Sequence, residues 1–152
     1  MKYELYTQIE ISEQFETYDF ISSGIKGNVE KRVKFQLVET NDIYNLAFGD
    51  IDENNEIDDY SITDNKDMPK VLATIAFIAR VFLEKYPQRT IIFRGSTAER
   101  TRLYRMAIGN NLDELITLFD IFGVQENGVA DLFIRNKDYY AFLVKKNPNF
   151  VI

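Results

Sequence analysis

Residues 90–109 read TIIFRGSTAERTRLYRMAIG, and the rest of the chain is interpreted around this stretch. Its apolar beginning predicts a strand over 90–94. The small residues of the Gly95–Thr97 turn follow, and a basic segment then predicts a helix over 97–108. A strand, a tight turn and a basic helix start together make this stretch the best candidate for holding an anion.

The turn and its helix supply the candidate binding residues. Helical spacing puts Arg100 on the face of Leu103 and Tyr104 that is expected to meet the core, whereas Arg102 and Arg105 are expected to face water. A half-buried arginine needs an anionic partner, which is either an internal carboxylate or a ligand. The candidate ligand- or anion-binding residues are Arg94, Gly95, Ser96, Thr97, Arg100 and Tyr104, and the possible carboxylate partners of Arg100 are Asp50 and Asp67.

A structural role for the serine competes with anion binding. Ser96-Thr-Ala-Glu99 matches a capping box, in which the Ser96 side chain accepts from the Glu99 N–H and Glu99 reaches back to the Ser96 N–H. A glutamate in the first turn would also repel an anion. The full glycine and lysine pattern of a P-loop is missing.

The composition excludes several kinds of chemistry. The 152 residues contain no cysteine and no histidine, which excludes thiol nucleophiles, histidine-based triads and the usual zinc sites. Catalysis would have to use carboxylates, lysine, tyrosine or hydroxyl groups, and no cofactor is predicted. No apolar run is long enough to span a membrane, and the N-terminal residues lack the apolar core of a signal peptide. We expect a single cytoplasmic domain over residues 1–152.

The segment from Asp50 to Asp67 is strongly acidic. It holds eight acidic residues and one lysine, whereas the rest of the chain has 17 basic and 16 acidic residues, which disfavours nucleic acid as a partner. Asp50, Asp52, Asn54 and Glu56 have the spacing of a calcium loop. Asn55 and Ser61 stand where that loop needs glycine and glutamate, so an acidic, solvated hairpin is preferred and no metal site is predicted. The segment could also dock onto a basic protein surface.

Alternating apolar residues predict strands over 2–11, 15–25, 29–39 and 43–51, with a short returning strand over 57–62. The short connections between them favour antiparallel pairing.

Apolar residues at helical spacing predict a long helix over 67–86, with Asp67 as its N-cap and Pro69 in its first turn. Residues 112–124 are ambiguous between helix and strand, and a short helical turn leading into a strand is favoured. Residues 132–134 and 139–144 predict a closing hairpin. The prediction is an α+β fold, in which a mainly antiparallel sheet of about six to eight strands is covered by helices 67–86 and 97–108.

Four segments resemble a small bacterial family known only as a domain of unknown function. The resemblance covers nearly the whole chain, and its most specific motif is Gly-Ser-Thr followed by Arg-Thr-Arg-Leu-Tyr. The segments are GSTAERTRLYRMAI at 95–108, FGD at 48–50, DD at 58–59 and TDNKDMPKVLAT at 63–74. The family has no established activity, so the resemblance implies no catalytic roles.

The order of elements more distantly resembles the later part of a GNAT acetyltransferase. That resemblance implies acyl transfer with Tyr104 as a general acid. The loop that carries a glycine-rich pyrophosphate signature in such enzymes is here the acidic run from Ser61 to Asp67, which departs from the pattern.

The leading interpretation is a non-catalytic small-anion, ligand-binding or protein-interaction module with a pocket at the Gly95–Thr97 turn and Arg100. The alternative is an acyl or phosphoryl transferase that uses Tyr104 and Asp50. The sequence does not identify a ligand, a protein partner or an oligomeric state.

Overall fold

The computed structural model describes residues 4–39, 41–58 and 63–148. These residues form nine strands and three helices. The strands are β1 (Glu10–Ile11), β2 (Thr17–Gly24), β3 (Gly27–Glu39), β4 (Ile43–Ile51), β5 (Ile57–Asp58), β6 (Thr90–Phe93), β7 (Phe119–Val124), β8 (Ala130–Leu132) and β9 (Ala141–Lys146). The helices are α1 (Met68–Lys85), α2 (Ala98–Asn110) and α3 (Leu112–Leu118).

The strands form one sheet in the order β1-β2-β3-β4-β6-β9-β7-β8, with β5 paired to the end of β4. Among the described pairings, β4 and β6 are parallel and the others are antiparallel. The chain crosses through α1 between β4 and β6, which is the kind of connection that parallel neighbours require. The predicted α+β class and mainly antiparallel sheet are confirmed.

Helix α1 packs on one face of the sheet. The Phe82 ring stacks on Phe35 with ring centroids 3.9 Å apart, and Tyr44 meets the edge of Phe82 at 5.5 Å. Phe93 of β6 contacts Tyr104 of α2 at 5.9 Å, so α2 approaches the sheet as well. Both principal helices were predicted to within two residues at each end, and β4 spans the residues predicted for it.

The predicted strand over 2–11 is wrong for residues 4–9, because only Glu10–Ile11 pairs as a strand. The Tyr6 N–H donates to Thr74 Oγ1 at 2.9 Å, and the Tyr6 hydroxyl donates to Asp67. The segment therefore lies against the first turns of α1 instead of joining the sheet. Alternation of apolar residues alone cannot distinguish these two ways of burying one face.

The predicted closing hairpin is also wrong. β8 pairs with β7, whereas β9 lies between β6 and β7. Phe142 and Val144 of β9 are buried, but Leu132 of β8 is 66% exposed. The more apolar strand thus occupies the central position, and the short strand is left at the edge.

The ambiguous stretch 112–124 forms α3 followed by β7, which confirms the favoured interpretation. Of the predicted returning strand, residues 57 and 58 form β5, and residues 59–62 lie outside the described part of the chain.

A buried ion pair anchors the segment that leads into α1. Lys31, only 1% exposed, places its Nζ 2.6 Å from Asp50 Oδ1 and donates to the Thr63 carbonyl at 2.9 Å. Asp50 Oδ2 accepts from the Thr63 N–H at 2.8 Å. Removing one member of such a pair leaves the other charge or polar group unpaired in a low-dielectric site.

Asn65 continues this anchoring toward the β2–β3 turn. Its side-chain oxygen accepts from the Lys26 N–H at 2.6 Å, and its side-chain nitrogen donates to the Gly27 carbonyl at 2.8 Å. A side chain at Gly24 would collide with the Asn65 backbone, so only glycine fits there. Asp67 accepts from the hydroxyls of Tyr6 and Ser22.

Replacing Lys31 by methionine is expected to lower the free energy of unfolding by roughly 3 kcal/mol at neutral pH, because Asp50 then stays charged without its partner. Urea unfolding measures the loss. Lys34→Met, an exposed lysine of the same strand, is the matched control and should change stability little. If the two variants lose the same free energy of unfolding at neutral pH, the Lys31–Asp50 pair does not stabilise the fold more than an exposed lysine does.

The same pair gives a pH dependence of known sign. Burial raises the pKa of Asp50, but hydrogen bonds from Lys31 and Thr63 outweigh burial and hold that pKa below its usual value. The stabilisation is therefore present above the unfolded pKa and disappears as the pH falls through the lowered value. The stability difference between wild type and Lys31→Met should shrink below about pH 4.

Candidate functional site

A cavity of about 1180 Å³ opens between α1, α2 and the sheet. It lies where β4 and β6 separate, because their ladder joins only Ile43–Asn45 with Thr90–Ile92. The same edge of β4 is paired again at Asp50 and Ile51, by β5. The intervening residues Leu46–Phe48 line the cavity, so a stretch of strand edge faces it.

The inner wall of the cavity is mainly apolar, and its rim is polar. Helix α1 contributes Leu72, Ile75 and Ala76 to the wall, and the sheet contributes Ile91, Phe93 and Val144. The rim includes Arg94, Ser96 and Thr97 from the β6–α2 turn, and Glu126, Lys137 and Asp138 from the segments flanking β8. Apolar walls with a few polar groups at the entrance are typical of small-molecule sites.

The β6–α2 turn differs in detail from its predicted form. The N-cap is Thr97, whose side chain accepts from the Arg100 N–H at 3.2 Å, so the predicted capping role of Ser96 is wrong by one residue. The Gly95 N–H donates to Thr101 Oγ1 at 3.0 Å and is not free for an anion. A Cβ at Gly95 would lie 2.5 Å from Arg100 Cβ and the Thr101 nitrogen, so the turn requires glycine for packing.

Arg100 does not pair with either predicted carboxylate. Asp50 binds Lys31, and Asp67 accepts from two hydroxyl groups. The Arg100 guanidinium instead donates to the Ser96 hydroxyl and lies in a side pocket of about 80 Å³ that Tyr104 also lines. Charge alone could not show that these two acids are already engaged, because their partners Lys31, Tyr6 and Ser22 are distant from them in sequence.

Like Arg102, Arg105 lines the main cavity from α2. Only 15% of its side chain is exposed, so the prediction that it faces water is wrong, whereas Arg102 is exposed as predicted. Thr101 and Ile108, four positions before and three after Arg105, are both buried. This spacing was visible in the sequence and places Arg105 on the covered side of the helix.

Tyr104 and Arg94 also lie at the cavity. Burial raises the pKa of the Tyr104 hydroxyl, although Arg100 opposes the rise, and this hydroxyl makes no hydrogen bond to the described residues. Arg94 is exposed and lies over the Tyr140 ring, 4.4 Å from its centroid.

In the described part of the acidic segment, Asp50 and Asp52 belong to the scaffold and do not line the cavity. Asp52 Oδ1 accepts from the backbone N–H groups of Asn54 and Glu56 and closes the β4–β5 turn. Asp50, the candidate catalytic carboxylate, does not line the cavity. Within residues 4–39, 41–58 and 63–148, no group of three or more acidic residues is arranged to hold a metal ion.

Residues from the region between β7 and β9 also line the cavity, and the sequence did not indicate this. Tyr139 is buried at the cavity, its ring lies against Gly123, and its hydroxyl accepts from the Ile134 N–H at 3.0 Å. Tyr140 and Lys137 line the same side. These residues reach the site because β9 lies next to β6, a pairing that local sequence patterns do not encode.

Comparison with known proteins gives a family but no activity. In the described part of the chain, no helix is long and apolar enough to cross a membrane. Neither a curated protein nor a solved structure matches the sequence. A family model described as a family of unknown function matches residues 2–147, which confirms the expected resemblance to an uncharacterised family. The chain therefore belongs to the family of unknown function DUF6934.

Proposed function

We propose that this chain is a non-catalytic binding protein for a small molecule with an apolar body and a polar or anionic head. The observation that carries the proposal is the cavity of about 1180 Å³ between the separating strands β4 and β6. Its apolar wall suits the body of the ligand, and its polar rim around Arg94 and the Gly95–Thr97 turn suits the head.

The chemistry of the lining favours binding over catalysis. Among the described cavity residues the carboxylates are Glu126 and Asp138, and both are exposed at the rim. A general acid or base of this kind is usually tuned by burial, and neither of these two carboxylates is buried. The inner wall of the cavity is formed mainly by aliphatic and aromatic side chains, which can pack against a ligand but do not react with it.

Ala76→Phe is expected to weaken binding of a neutral apolar probe, N-phenyl-1-naphthylamine, at least tenfold. Ala76 lines the cavity from α1, and a phenyl ring there would occupy the space that the probe needs. Probe fluorescence titrated against folded protein measures the affinity, and circular dichroism confirms that the variant is folded.

The matched control is Phe77→Ala, which removes an exposed ring from the next position of the same helix. The control should bind the probe as the wild type does. If the control loses binding and Ala76→Phe keeps it, the probe reports surface adhesion and the cavity is not a ligand site.

Acyl transfer is a second candidate, and it is favoured by the position of Tyr104. Tyr104 lines the cavity, and its phenol, protonated at neutral pH as in any tyrosine, could donate a proton to a leaving group. The edge of β4 at Leu46–Phe48 offers backbone groups to an extended acyl donor.

The two candidates give opposite expectations for acetyl-CoA. On the binding function, calorimetry with acetyl-CoA should show no heat, since the Gly95 N–H of the β6–α2 turn already donates to Thr101 Oγ1 and cannot hold a pyrophosphate. On the transferase function, acetyl-CoA should bind, and Tyr104→Phe should abolish turnover while the thermal midpoint is unchanged. Binding heat together with Tyr104-dependent turnover would replace our first proposal by the second.

A further inference from the structure

We infer that Arg105 is the anion-binding residue of the cavity, and that the ligand is an amphipathic monoanion such as a long-chain carboxylate or sulfonate. The inference rests on the proposed binding function and names the ligand class and the residue that selects it. It moves the anion site from the β6–α2 turn to the second half of α2.

The surroundings of Arg105 leave its charge incompletely compensated. Its Nε is buried and has no hydrogen-bond partner among the described residues. Its closest carboxylate, Asp138, has an oxygen 3.6 Å from Nη1, which is beyond normal hydrogen-bond distance, and the Asp138 side chain is 98% exposed. The buried Nε is closed to a ligand, but Arg105 lines the cavity and Asp138 is too far from Nη1 for a hydrogen bond, so the terminal guanidinium nitrogens are left to donate to an oxyanion.

Arg89 shows how the same fold satisfies an arginine that has no ligand to bind. Its Nε is also buried without a hydrogen-bond partner. However, the Arg89 guanidinium lies 3.5 Å from the centroid of Tyr86 and 4.2 Å from that of Tyr44, so aromatic faces compensate its charge. No described ring lies over the Arg105 guanidinium, and this arginine lines a cavity.

The neighbouring groups define the class of anion. Ile108, one turn along α2, and Ile121 and Val144 of the sheet line the same cavity, so the ligand needs an apolar body. Among the basic residues that line the cavity, Arg94 and Arg102 are exposed, whereas only 15% of the Arg105 side chain is exposed. A single anionic group attached to an aliphatic or aromatic body therefore fits at Arg105.

Two matched fluorescent probes separate the inference from the function on which it rests. N-phenyl-1-naphthylamine is neutral, and 1-anilinonaphthalene-8-sulfonate has the same rings with one sulfonate added. Wild-type protein should bind the sulfonate probe more tightly, and decanoate should displace it more effectively than decanol. Arg105→Met should weaken the sulfonate probe by roughly tenfold or more and leave the neutral probe within about twofold.

A control variant and two contrary results complete this test. Arg80→Met, on α1 away from the cavity, should leave both probes unchanged and is the control for loss of one positive charge. If Arg105→Met changes neither probe, or weakens both equally, Arg105 does not bind the anion and the inference is wrong while the binding function stands. If neither probe binds the wild type, the binding function itself fails.

A second variant keeps the test decisive should Arg105→Met not fold. Asp138→Asn removes the carboxylate that competes with the ligand for Arg105 and alters only an exposed side chain. It should strengthen the sulfonate probe about two- to threefold, with no effect on the neutral probe. Unchanged or weaker binding of the sulfonate probe in this variant would overturn the inference.

Discussion

The parallel pairing of β4 with β6 ends after three residue pairs, and the candidate site depends on that early end. Ile43–Asn45 bind Thr90–Ile92, after which β4 continues and β6 stops at Phe93. Beyond this point the edge of β4 that faces away from β3 has no neighbouring strand among the described residues until β5 pairs with Asp50. A continuous ladder would have closed the sheet, and the space between the two helices would have been filled by packed side chains.

The segments beside the cavity are held to the sheet by buried polar contacts. On one side, residues 63–67 are attached to it through the Lys31–Asp50 pair and the buried amide of Asn65. Because α1 begins directly after this segment, its first turn is fixed on β2 and β3 before the helix reaches the cavity. Asp50, which suggested part of a calcium loop, and Asp67 are used for this purpose.

An element could be predicted from the sequence when its structure depends on interactions between residues close together in the chain. The periodicity of α1 and the alternation of β4 depend on neighbours within the segment, and their bounds were predicted closely. The position of β9 depends on competition between distant strands for the centre of the sheet, and its predicted hairpin with β8 was wrong. The rim residues contributed by this region, such as Tyr140, could not be found for the same reason.

The arginines of α2 illustrate the same limit within one helix. Arg100 was assigned to the core side from its spacing to Tyr104, but the helix is covered over a wider arc that includes Thr101, Arg105 and Ile108. A protein selected for stability alone would fill an apolar cavity and would not bury most of a guanidinium without a hydrogen-bonded partner. The unfilled cavity and the mostly buried Arg105 guanidinium both lie at the wall formed by α2. Since departures from folding rules concentrate at functional sites, their coincidence is a stronger indication of a ligand site than either one alone.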